Sequence, residues 1–266
     1  MKVLMPYVGS KKSLLKYLIK LFPEEINNYY EPFVGAGSVL FYLNENYDIN
    51  KNYINDVDSD VINIYKSLKN DTNKFLKYLK EINKIKTKKE YSNLVDIFNE
   101  NKKDKVLLAA IYIYMCKRSF NSKLNMKDGL IRPYYAKTIS HKKIYDENTI
   151  SSIKDILDNT KISNTDYIKF LNKNNFKKDD FVFLDPPYLT TNTKYNYSSI
   201  FDYNDYEKLK KICDKLDSKK VKFMLTTNKH SALKKLFKDY NINTVNKYSR
   251  VSQGKGIEYE MIITNY

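Results

Sequence analysis

FVFLDPPYLTT, residues 181–191, sets a run of strand-type hydrophobics directly against two prolines and a tyrosine. Phe181, Val182, Phe183 and Leu184 show no polar alternation, the pattern of a short strand buried on both faces. Pro186 and Pro187 carry no amide hydrogen for a sheet ladder, so pairing must stop at Asp185. The corner holds a carboxylate, Asp185, and an aromatic ring, Tyr188, beyond the carboxyl end of a strand. In open α/β sheets that is where ligands bind.

The flanking segments repeat an α/β rhythm. YVGSKKSLLKYLIKLFP, residues 7–23, begins with a turn and becomes a helix with Leu14, Leu15, Leu18 and Leu21 on one face. YYEPFVGAGSVLFYL reads as strand, glycine turn and helix, and NKNYINDVDSDVINIY as strand, acidic turn and helix start. After DPPY, DYEKLKKICDKLDSK predicts a helix, VKFMLTTN a buried strand and HSALKKLFKDY a helix. VNKYSRVSQGKGIEYEMIITNY closes the chain as two strand-like runs around Gly254-Lys255-Gly256. Residues 66–145 break the rhythm. They are helical and lysine-rich, and end in an irregular stretch with turn signals at Asp128-Gly129 and Pro133. One discontinuous catalytic domain, 1–65 and 146–266, with a helical insert at 66–145, is therefore expected.

Gly35 and Gly37 let a ligand approach the backbone closely. Asp56, about 20 residues beyond Gly35, ends the second strand, where a carboxylate accepts from both ribose hydroxyls of a nucleoside. At ~5% per residue, DPPY arises by chance only about once or twice in a thousand chains of this length. Its place downstream of a nucleoside turn makes coincidence a poor account.

The net charge of +16, from 47 basic and 31 acidic residues, favours a polyanionic partner such as nucleic acid, although an A+T-rich coding sequence would also enrich lysine. With 42% hydrophobic residues in 266 the chain can build a substantial core. Cys116, Cys213, His141 and His230 are too few for a disulfide framework or a convincing metal site. No segment reads as a signal peptide or membrane span, so a cytoplasmic, non-secreted protein is expected.

The chain resembles the Dam-type family of DNA adenine-N6 methyltransferases, in the alpha arrangement of the T-even phage and enteric enzymes. MPYVGSKKSLL at 5–15, EPFVGAGS at 31–38, INDVDSD at 54–60 and DPPY at 185–188 match its motifs in order. RSFNSKLN at 118–125 is similar to its DNA-reading segment and EMIITNY to its last strand. The resemblance implies a Rossmann-like AdoMet-dependent methyltransferase fold with the insert as target-recognition region. It also implies S-adenosyl-L-methionine as methyl donor, consumed to S-adenosylhomocysteine without a metal, and duplex DNA as partner, acted on by a monomer or weak dimer.

By the same resemblance Asp185, Pro186, Pro187 and Tyr188 are catalytic. Tyr7, Lys11, Phe33, Gly35, Gly37, Asp56 and Asp185 bind the cofactor, with Lys11 holding its carboxylate or steadying Asp185. Arg118, Phe120, Asn121, Asn125 and Arg250 meet DNA. Asn125 stands where the family usually has a guanine-reading arginine; asparagine favours adenine, which argues against GATC as the target.

Chemically, Asp185 and the Pro186 carbonyl can each accept one hydrogen of an adenine amine, making its nitrogen more nucleophilic, while Tyr188 stacks on the base. TTNTKYNYSS, residues 190–199, is read as a loop over the site whose Tyr195 and Tyr197 meet DNA. Competing readings are an RNA adenine methyltransferase with the same chemistry and a catalytically silent DNA-binding or AdoMet-sensing module.

Overall fold

The structure is a computed structural model that describes residues 4–6, 9–100, 103–119, 124–136, 143–189, 201–248 and 257–266. In chain order, a 3-10 turn at Lys11–Ser13 leads into α1 (Leu15–Leu18), β1 (Asn28–Glu31), α2 (Ser38–Asn46), β2 (Lys51–Asn55) and α3 (Ser59–Asn70). Next come α4 (Thr72–Ile82), α5 (Lys88–Glu100), α6 (Lys105–Arg118), β3 (Met126–Lys127), β4 (Leu130–Ile131), α7 (Glu147–Asp158) and β5 (Thr160–Ser163). The remainder is α8 (Tyr167–Lys173), β6 (Phe181–Leu184), α9 (Tyr203–Ser218), β7 (Lys222–Asn228), α10 (Ser231–Leu236), β8 (Asn241–Tyr248) and β9 (Ile257–Thr264). Aspartates start many of these helices: Asp58, Asp104, Asp146, Asp166 and Asp202 accept hydrogen bonds from the first-turn amides of α3, α6, α7, α8 and α9.

The chain divides into two compact units, the first made of Met1–Ser10, Gly35–Tyr42 and Asp58–Asn164. It is mainly helical. Its α6 is buried along nearly its whole length, from Val106 through Arg118, because VLLAAIYIYMC is apolar on every face. A two-residue β3–β4 hairpin turns at Asp128 (φ 53°) and Gly129 (φ 75°). Positive φ at both central residues is the demand of a type I′ turn, which Asp-Gly meets.

The second unit comprises Lys11–Val34, Leu43–Val57 and Thr165–Tyr266. Its six strands lie in the order β2-β1-β6-β7-β9-β8, with β2, β1, β6 and β7 mutually parallel and β9 antiparallel to both neighbours. The order reverses between β1 and β6, the switch point at which such sheets open a crevice beyond their carboxyl ends. One side of this sheet packs Tyr30, Val182, Leu184, Phe223 and Leu225 with Phe170, Tyr206, Leu209 and Leu216 from α8 and α9. Each such side chain fully buried contributes about 1.5–3 kcal/mol. At the opposite strand ends, fully buried Asp180 accepts from Asn27 Nδ2, Asn28 N and Asn28 Nδ2 on Oδ1, and from Lys177 N on Oδ2.

The Rossmann-like α/β architecture expected from sequence is present. Differences lie in short or polar elements. The first helix is a 3-10 turn plus one α-helical turn, although Leu14, Leu15 and Leu18 are buried as its pattern requires. β8 begins at Asn241, earlier than the run from Val245, because NINT is polar and takes its strand geometry from β9. β5 and α8 have no strong pattern of their own. The Gly254-Lys255-Gly256 turn lies outside the described residues. Among the described residues no helix is long and apolar enough to cross a membrane.

Candidate active site

Asp185 follows β6 directly, at the level of Thr226 on β7 by continuation of the Leu184–Leu225 register. Thr226 Oγ1 donates to Asp185 Oδ1 at 2.8 Å, and Lys11 Nζ lies 2.7 Å from the same oxygen. The Lys11 side chain is 5% exposed and that of Asp185 17%. Burial pushes the Asp185 pKa up, and the opposing pull of Lys11 and Thr226 does not cancel it.

The proline corner is tied down beyond Asp185. Tyr206 Oη donates to the Pro187 carbonyl at 3.1 Å and shares a 2.7 Å hydrogen bond with Thr227 Oγ1. Asn228 Nδ2 donates to the Leu189 carbonyl at 3.0 Å. Lys11 Nζ lies 4.8 Å from the centre of the Tyr188 ring, a cation over an aromatic face. The Tyr188 hydroxyl is held protonated, first by burial and then by the carboxylates of Asp185 and Glu260.

The strand ends beside this corner are cross-linked by Asn55, which is fully buried. Its carbonyl accepts from Val34 N at 2.9 Å, and its Nδ2 donates to the carbonyls of Pro32 and Thr165 at 3.1 and 2.9 Å. Its Oδ1 accepts from Thr165 N at 3.0 Å. Asp56, the next residue, is half-buried at the end of β2. Phe33 packs on Tyr167 and Phe201, with centroids 5.2 and 6.1 Å apart. Asp58 serves a different purpose, capping α3 through Asp60 N and Val61 N at 2.9 and 3.2 Å.

In the first unit, Gly35 (φ 46°) and Gly37 (φ 67°) take the left-handed backbone that glycine tolerates. Tyr65 Oη donates to the Gly35 carbonyl at 2.7 Å. A Cβ on Gly37 would come within 2.8 Å of that hydroxyl.

Residues 7–251 match the family profile of the D12 class N6 adenine-specific DNA methyltransferases. The chain belongs to that family. It is 31% identical over 275 residues to the type II methyltransferase M1.LlaDCHI of Lactococcus lactis subsp. cremoris, covering 98% of this chain and 94% of that protein. It is 30% identical over 291 residues to M.MjaIII of Methanocaldococcus jannaschii, covering 100% and 99%. The DNA adenine methylase of Vibrio cholerae is 23% identical over 262 residues, covering 95% and 90%. The protein is thus an AdoMet-dependent enzyme that methylates adenine N6 in DNA.

Within this D12-class methyltransferase the segment similar to the DNA-reading region begins at a buried residue. Arg118 is 1% exposed, with its guanidinium 5.6 Å from the centre of the Tyr114 ring. Its carbonyl accepts from Ala136 N at 2.7 Å, and Ser119 bridges to Tyr135. Arg118, expected to meet DNA, is enclosed at the end of α6. Asn125 is half-buried, and its carbonyl accepts from Arg132 N at 2.7 Å just beyond the hairpin. Asn99 on α5 pairs with both backbone groups of Ile131, at 3.0 and 3.1 Å, and so docks β4. Tyr7, Phe120, Asn121, Arg250 and the 190–199 loop with Tyr195 and Tyr197 lie outside the described residues.

Thr226, Asn228, Tyr206 and Glu260 were not singled out from sequence. The signal available was TTN at the end of VKFMLTTN, polar residues closing a buried strand.

Proposed function

We propose that the DPPY corner acts on an adenine turned out of duplex DNA, with Asp185 and the Pro186 carbonyl each accepting one hydrogen of its amine. The observation that carries this reading is the pair of contacts on Asp185 Oδ1 from Lys11 and Thr226. Both fall on one oxygen, so Oδ2 is assigned to the amine. The Pro187 carbonyl already accepts from Tyr206, which favours Pro186 as the second acceptor. An amine with two acceptors becomes pyramidal and directs its lone pair outward. S-adenosyl-L-methionine supplies the electrophilic methyl when bound. Gly35, Gly37, Phe33, Tyr7 and Asp56 are assigned to its nucleoside and methionine parts, and Lys11 to fixing Asp185.

Turning out a base costs a few kcal/mol. Stacking on Tyr188 returns about 1–3 kcal/mol, and the two amine hydrogen bonds add to it. Positioning and fixed charges then carry the rate. The insert at 66–145 is assigned to target recognition, with Asn125, Phe120 and Asn121 as its DNA contacts, Arg250 near the carboxyl end as a further one, and a monomer or weak dimer as the acting form. A cytoplasmic location, in a bacterial, phage-infected or viral-host cell, is part of the same proposal.

The test is labelled methyl transfer to A+T-rich duplex DNA and to single-stranded RNA, with the modified adenines sequenced. N6-methyladenine in one short duplex motif, abolished by Asp185→Ala, is the expected result. Preferential labelling of RNA would overturn the assigned partner, and full activity of Asp185→Ala would overturn the mechanism.

A further inference from the structure

The carboxyl edge of the sheet in the second unit carries a cation that the chemistry above does not use. β6 and β7 run parallel and end at this edge, and β9, antiparallel to β7, begins there. Thr226 and Asn228 of β7 hold the Asp185 carboxylate and the Leu189 carbonyl. Lys229 is the next residue. Its amide donates to the Tyr259 carbonyl at 2.9 Å, which carries the pairing of β7 with β9 one step past Asn228. Its ammonium lies 4.9 Å from the centre of the Tyr259 ring. Both side chains are open to solvent, Tyr259 at 43% exposure. Lys229 is thus fixed at its backbone and at its head. Among the described residues no carboxylate pairs with it, whereas Lys154, Lys208 and Lys210 each face an aspartate.

We propose that Lys229, seated on Tyr259, is a phosphate contact for the DNA strand that carries the target adenine, so that the catalytic unit holds the DNA backbone through a residue of its own. This inference rests on the function proposed above. An adenine whose amine reaches Asp185 enters from the carboxyl edge, and its sugar and flanking phosphates then lie outward of that edge. Asp185 stands level with Thr226, and Lys229 follows three residues later, roughly 10 Å farther out at strand spacing. A lysine bound to a carboxylate has its charge neutralised on the spot, whereas one over an aromatic face keeps it available to an anion. The ring also restrains a long side chain before the phosphate arrives, so less freedom is lost on binding. Lysine meets a phosphate as a point charge and carries no base information. The contact therefore adds affinity and register without choosing the sequence, the converse of the role assigned to Asn125.

The experiment measures binding of two duplexes, one carrying the methylated motif and one unrelated, by fluorescence anisotropy over a series of potassium chloride concentrations. S-adenosylhomocysteine is present to prevent turnover. The proteins are the wild type, Lys229→Gln, Tyr259→Leu and Lys219→Gln. Lys219 ends α9 just before β7 begins, at the opposite edge of the sheet, so its substitution removes the same charge from the same unit. Lys229→Gln is expected to weaken binding about five- to tenfold at about 0.1 M salt, alike for both duplexes. Its slope of log affinity against log salt should be shallower by about 0.9. The loss should appear in KM for DNA, with AdoMet affinity retained. Tyr259→Leu should weaken binding by a smaller factor and leave the slope in place, because the charge stays. Lys219→Gln should match the wild type. An unchanged slope in Lys229→Gln, an equal shift in Lys219→Gln, or an altered methylated motif would overturn the role of Lys229. Wild-type methyl transfer to duplex DNA separates the two readings. Its absence refutes the proposed function; its presence with an unchanged slope refutes only the phosphate contact.

Discussion

Lys11 Nζ sits 2.7 Å from Asp185 Oδ1, a nearly enclosed ion pair joining the first turn of the second unit to the end of β6. Removing two charges from water is expensive, and a buried pair recovers that cost only with good geometry and further hydrogen bonds. Thr226 supplies one such bond. Burial still outweighs both partners, so the carboxyl retains its proton to higher pH than an ordinary aspartate. The folded state thus binds this proton more tightly than the unfolded chain. Its contribution favours folding below the unfolded pKa and is lost as pH rises through the folded value. At working pH the ionised Asp185 is therefore maintained at some expense of stability.

The proposed mechanism requires the carboxylate, so kcat/KM should fall as pH drops through a value above the ordinary 3.8. Lys11→Met removes a group that favours ionisation and should move this acid limb to still higher pH. Thr226→Val should do the same to a smaller degree. A pH–rate profile of the three proteins checks this, and coincident acid limbs would contradict the linkage.

Gly37→Ala combines an unfavourable positive φ with a Cβ only 2.8 Å from Tyr65 Oη. Strain and overpacking together should cost about 2–4 kcal/mol of stability. Tyr65→Phe gives up the 2.7 Å bond to the Gly35 carbonyl but removes the clashing oxygen. The double variant should therefore be more stable than additivity predicts, as measured by denaturant titration.

Asp180→Ala should destabilise the fold by about 3 kcal/mol or more, since buried donors lose their acceptor. The Asn27, Asn28 and Lys177 groups it satisfies lie at the amino ends of β1 and β6, away from Asp185. Thermal unfolding should show the loss while kcat of the folded enzyme at low temperature stays unchanged.

Asn125→Ala should relax the methylated motif at one base pair, a change worth about 1–3 kcal/mol of discrimination. Sequencing of modified adenines reads the outcome directly. An identical motif in the variant would remove Asn125 from the reading of DNA.

Much of the site was legible because its chemistry is local. DPPY announces a strand cut short with a carboxylate at its end, and Gly35 and Gly37 announce a turn that side chains would strain. Asp58, Asp104 and Asp202 mark helix starts through bonds reaching only two or three residues along the chain. Asp-Gly at 128–129 likewise specifies its own hairpin turn. Polar NINT in β8 and TKIS in β5 gave no such mark, because their strand geometry comes from neighbours in the sheet.

What only the tertiary structure decided is which distant residues share one side of the site. Thr226 and Asn228 meet the DPPY corner through the parallel register between β6 and β7, and Glu260 stands opposite Asn228 through the antiparallel one between β7 and β9. A shift of either register by one residue would turn those side chains to the opposite face. The burial of Arg118 at the end of α6 was equally invisible in sequence, where it reads as a cation that meets DNA. Packing around α6 encloses it beside Tyr114. Motif chemistry is written in neighbours along the chain, whereas the partners that orient it are chosen by strand pairing and packing across the fold.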